Sequence, residues 1–254
     1  MEKPSINRIQ QMEVSLRQAR AEQLQLFLSI MDSERELPEE YASIIKKQAR
    51  RSFRGSPTYF DQAWKTVMND PTRKEMADFI RERLRGRFLV DLGGGFGGLD
   101  LPDFPVTAYI NVDIYEEAFG AEHNQLVQNP MQPVAPIRTG DHYPYFDKNK
   151  RPIFSVYSDM LTFLAKVKSG SICCAMNGID DHIIQVPEYG ELLAQELVRV
   201  TVPGGVILGY ISEPMNILDR QVKDGHVRLV KHSFNYSPAA MKDHGHELFV
   251  FEKL

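Results

Sequence analysis

The chain of 254 residues is 43% hydrophobic and 25% charged, with a formal net charge of -4. These values fit a globular chain able to bury a sizeable core, and they give no global electrostatic reason to bind nucleic acid or an anionic membrane. No apolar run approaches the roughly 20 residues that span a bilayer, and the opening MEKPSINRIQQ lacks the apolar core of a secretory signal. The two cysteines, Cys173 and Cys174, are neighbours. Adjacent residues on a strand point to opposite faces, so they read as buried thiols of a reducing compartment and not as a bridge. A cytoplasmic protein that binds neither membrane nor nucleic acid is the expectation.

In chain order, residues 6–31 carry Ile9, Met12, Leu16, Ala19, Leu24, Leu26 and Leu28 among many Gln, Arg and Glu, which fits one long helix or two shorter ones. Pro38-Glu39-Glu40 suits the start of another helix, since proline fits a first turn and acids favour the positive end. The basic group Lys46, Lys47, Arg50, Arg51 and Arg54 reads as a solvated helix face. Phe60 and Trp64, four apart beside Tyr59, share a helix face and anchor this region onto the domain C-terminal to it. Asp70-Pro71 caps a segment with Met76, Phe79, Ile80 and Leu84 on one side, and Gly86 ends it. Residues 1–86 are therefore expected to form an N-terminal helical extension, with the first helix a candidate for pairing in a homodimer.

From Arg87 the pattern changes. Short apolar runs end in glycine, acid or amide: Phe88-Leu89-Val90 before Gly93-Gly94-Gly95-Phe96-Gly97-Gly98, then Tyr109 to Asp113, Phe154 to Asp159 and Ser171 to Asn177. A helix over 188–202 is broken by Pro203-Gly204-Gly205 and followed by Val206 to Ile211. Buried strands alternating with helices predict a parallel sheet covered on both faces. Residues 226–236 and 247–253 are strand-like with a short connection, which suits an antiparallel hairpin. The proline-rich stretch 129–152 reads as a long excursion. Residues 87–254 are thus expected to form an α/β domain: a doubly wound, mostly parallel seven-stranded sheet with a C-terminal antiparallel hairpin.

Side-chain-free residues after a strand let backbone amides approach a ligand. Gly93, Gly95 and Gly98 also satisfy the Gly-x-Gly-x-x-Gly pattern of dinucleotide sites, and Asp113 lies about 20 residues past Gly93, where a ribose-binding acid is expected in several cofactor classes. The run Asp91-Leu-Gly93-Gly-Gly95-Phe-Gly97 resembles the acid-x-Gly-x-Gly-x-Gly motif of class I S-adenosylmethionine-dependent methyltransferases. That resemblance spans Arg87 to Leu254. It implies S-adenosylmethionine as cofactor, with Asp91, Gly93, Gly95 and Gly97 beside its methionine part. It also implies Asp113 on the ribose hydroxyls with Ile114 next to it, Asp159 on the adenine amino group, Met160 or Leu161 against the ring, and Asn177 beside the methyl-donor site. One departure is that the interval from Asp113 to Asp159 is longer than one helix and a turn require. Asp91 itself speaks against a nicotinamide enzyme, whose fingerprint needs no acid two residues before the first glycine.

An acceptor hydroxyl or protonated amine needs a base within hydrogen-bond reach. By the same resemblance the loop Asn177 to His182 faces the transferred methyl, making His182, Asp180 and Asp181 candidate bases; a cap or solvated turn is the plainer reading of each. Three consecutive residues rarely converge on one ion, so no metal is expected there. Asp243, His244 and His246, around Gly245 between the last two strands, read as a solvated turn. Met215, Ile217 and Leu218 could supply an apolar wall. Methyl transfer to a small-molecule acceptor leads. The alternatives are a protein or peptide methyltransferase, a non-catalytic cofactor-binding scaffold and, last, an NAD-dependent oxidoreductase.

Overall fold

A computed structural model of the chain describes residues 21–22, 24–49, 68–93, 104–113, 152–176, 186–210, 213–232 and 248–254. Its framework is one mixed sheet of β1 (Phe88–Leu92), β2 (Ala108–Asp113), β3 (Ile153–Tyr157), β4 (Ile172–Met176), β5 (Val206–Tyr210), β6 (Val227–His232) and β7 (Leu248–Lys253). The strands lie in the order β3-β2-β1-β4-β5-β7-β6. The first five are mutually parallel, while β7 runs antiparallel to both β5 and β6. The predicted doubly wound sheet and terminal hairpin are therefore both present, with β7 lying inside the sheet and β6 at its edge.

Strands buried on two faces supply alternate residues to two cores. Val90, Leu92, Ile110, Val112, Cys174, Met176 and Ile207 enter one core, against helices α3 (Met160–Ala165) and α4 (Pro187–Val200). Leu89, Tyr109, Cys173, Ala175 and Leu208 enter the other, against Met76, Ala77, Ile80 and Leu84 of helix α2 (Lys74–Leu84). The neighbouring cysteines thus sit in different cores, both free. Helix α5 (Glu213–Lys223) adds Leu218 to the first core.

The start of α2 is built as its sequence predicts. Asp70 caps the short 3-10 turn Pro71–Arg73 by accepting Thr72 N–H, and Gly86 leaves the helix at φ 68°. Helix α1 (Glu39–Ala49) opens on the predicted acidic turn.

The N-terminal residues are tied into the sheet by contacts that no local pattern reveals. Phe27, Ile30, Met31 and Tyr41 belong to the core of α3 and α4, and the Phe27 ring meets Phe154 with centroids 5.4 Å apart. Met31 bridges Val167, with Asp32 N–H donating to Lys166 O at 2.7 Å and Lys168 N–H to Ile30 O at 2.9 Å. Residues 24–28 form a helical stretch on which Leu24 and Leu28 stay exposed. Tyr59, Phe60 and Trp64 lie outside the described residues, as do Arg50, Arg51 and Arg54. Of the proline-rich stretch 129–152 only Pro152 is described, its carbonyl accepting Tyr109 N–H at 2.9 Å.

Candidate active site at the carboxyl edge of the sheet

Strand order itself locates a crevice. From β1 the chain adds β2 and β3 on one side, then returns to add β4 and β5 on the other. Connections leaving two adjacent strands in opposite directions leave a gap beyond their carboxyl ends, and ligands of open α/β sheets bind in that gap. Here the gap lies above β1 and β4. Leu92 pairs with Val112 on one side and Met176 on the other, so the turn after Leu92, the end of β2 and the end of β4 reach one level. Among the described residues no group of three or more His, Cys, Asp or Glu could hold a metal ion.

Gly93 opens that turn at φ 73°, a conformation that costs an L side chain strain, while its N–H donates to Val112 O at 2.8 Å. Two residues earlier Asp91 is fully buried, and the Tyr109 hydroxyl of β2 donates to its Oδ2. Asp113, buried, is the last residue of β2 and lies on the same face of that strand as Tyr109 and Asn111. The Asp113 carbonyl accepts Ser158 N–H at 3.0 Å, which draws the end of β3 to the same edge.

Asp159 follows as the N-cap of α3: its Oδ1 accepts Thr162 N–H at 3.0 Å. Its Oδ2 accepts the hydroxyl of Tyr189 at 2.7 Å, from the first turn of α4. Burial raises the Asp159 carboxyl above its ordinary range, against the lowering effect of the Thr162 and Tyr189 donors. The same burial, with the carboxylate beside it, raises the Tyr189 phenol well above its usual value. Met160, half-buried, packs against the first core next to Asp159.

Of the sequence-predicted site residues, Asp91, Gly93, Asp113, Asp159 and Met160 are described and lie along this edge. Gly95, Gly97, Ile114, Asn177, Asp180, Asp181 and His182 lie outside the described residues. Three side chains carry roles that the sequence alone does not reveal. Tyr109 could have been found by placing β2 beside β1, which sets a phenol one step from Asp91. Tyr189 heads the stripe Tyr189, Leu193, Leu197, a buried polar tip in an apolar row. Gln48 has no sequence signal; it reaches Val186 N–H, 138 residues away.

The order β3-β2-β1-β4-β5 followed by a reversed β7 defines a doubly wound α/β fold distinct from the all-parallel dinucleotide sheet, in which the strand beside β5 runs parallel to it. No protein-family model matches the chain, and no curated protein matches it. Among solved structures it is similar to a 1,6-didemethyltoxoflavin-N1-methyltransferase from Burkholderia thailandensis, at 15% identity and TM-score 0.45, covering 88% of this chain and 93% of that one. It is also similar to an rRNA methylase from Streptococcus thermophilus, at 15% identity and TM-score 0.43, covering 73% and 98%. A third is the N-methyltransferase NodS from Bradyrhizobium japonicum, at 11% identity and TM-score 0.44, covering 73% and 98%. The site stands on strand order, register and side-chain geometry, independently of these likenesses.

Proposed function

We propose that this chain binds S-adenosylmethionine at the carboxyl edge of β1, β2 and β3 and transfers its methyl group to a small-molecule acceptor. The observation that carries the reading is the level alignment of the Asp91-Leu92-Gly93 turn with Asp113, at the switch point of a sheet whose β7 is reversed. The donor set fits the cofactor. A buried carboxylate ending β2 is placed to accept from a ribose diol, and a glycine turn ending β1 leaves room for backbone to approach a ligand. The apolar flank offered by Met160 suits a purine face.

Bound S-adenosylmethionine supplies an electrophilic methyl group on a sulfonium, and its transfer is an in-line displacement. What the protein adds is alignment and exclusion of water. Asp113 orients the ribose end, and the Gly93 turn fixes the cofactor's depth in the crevice. Asp180, Asp181 and His182 follow β4 in the chain, and one of them is the base wherever the acceptor must lose a proton. The formal charge of -4 favours a small acceptor over a polyanion.

Calorimetric titration with S-adenosylmethionine, S-adenosylhomocysteine and NAD, repeated on Asp113→Ala, tests this reading. Binding of the first two, absent in the variant, is expected. Binding of NAD alone would replace methyl transfer by hydride transfer, and a folded protein that binds none of the three would overturn the site.

A further inference from the structure

We draw no further inference here: the strongest candidate, the connection between Ala49 and Met68 that joins α1 in the first core to α2 in the second and holds Tyr59, Phe60 and Trp64, rests on a segment outside the described residues.

Discussion

Gln48 Oε1 accepts the backbone N–H of Val186 at 3.2 Å, so the end of α1 is fastened to the residue that introduces α4. Gln48 is 2% exposed, and the N–H it satisfies is one of the donors left open at the start of a helix. The acceptor comes from another element, α1, and not from the first turn of α4.

Gln48→Leu should therefore lower stability by about 1–3 kcal/mol, the cost of a buried N–H left without an acceptor. Urea denaturation followed by circular dichroism measures this directly. A midpoint unchanged from wild type would mean that another acceptor takes over.

Glu196 makes a second long-range tie. Its Oε1 accepts from Arg35 at 2.9 Å and from the Tyr41 hydroxyl at 3.2 Å, while its Oε2 accepts from Arg199 Nε at 2.8 Å. Arg199 goes on to donate to Val167 O and Leu164 O. The carboxylate is 4% exposed and the Arg35 side chain 26%. Glu196→Ala removes the shared acceptor of two partly solvated guanidinium groups and a buried phenol, and the expected loss is about 1–3 kcal/mol. Arg35→Ala leaves the charge compensated by Arg199 and removes a partly solvated group, so about 1 kcal/mol is expected. A double-mutant cycle giving no coupling between Arg35 and Glu196 would refute the tie.

These two ties explain what the sequence made legible and what it did not. Periodicity within a strand or helix is local, and it placed β1, β2, β4, α2 and α4 to within a few residues, as well as the Asp91-Gly93 turn. The terminal hairpin was legible because residues 226–236 and 247–253 are too close for a crossover helix. Residues 1–86, by contrast, read as an extension because nothing local in Phe27, Ile30 or Tyr41 says that they meet Phe154 or α4. Glu196 lies in a helix stripe where a charge looks solvent-facing; only its distant partners justify burying it. The same holds for Asp159. Its motif position was visible, but its double duty as cap and as partner of Tyr189 needs α4 in place.

Asp159 gives a pH prediction. Its folded-state pKa is raised, chiefly by burial. A carboxyl raised in the fold contributes most below its unfolded pKa, and that contribution is lost as pH rises through the folded value. Asparagine caps a helix about as well and carries no charge. The stability of Asp159→Asn relative to wild type should therefore rise from acid pH to neutrality, then level off. Asp159→Ala should lie below both at neutral pH, losing about 1 kcal/mol with the cap. Thermal melts at several pH values decide this, and a wild-type advantage that grows with pH would contradict it.

The thiols offer a simple check on the two cores. Burial raises both Cys173 and Cys174, and each is fully enclosed on its own side of the sheet. A raised, inaccessible thiol yields almost no thiolate. Neither should react with a thiol reagent at neutral pH until the protein unfolds, and both should then react together. Early reaction of Cys173 alone would mean that the α2 face opens independently of the rest.

Gly93 separates backbone strain from ligand binding. Gly93→Ala places a Cβ on a residue at φ 73°, which costs about 1–2 kcal/mol of strain. Gly225, which joins α5 to β6, has φ 76°, and a Cβ there meets nothing within 4 Å. Gly225→Ala is thus a matched control that carries similar strain far from the carboxyl edge of β1. Both variants should melt several degrees below wild type, but only Gly93→Ala should lose affinity for S-adenosylhomocysteine. Equal affinities in the two variants would mean that the turn after β1 shapes the fold without touching the cofactor. Loss in Gly93→Ala alone would tie the ligand to the residue that follows Leu92, where the register of β1 with β2 and β4 opens the crevice.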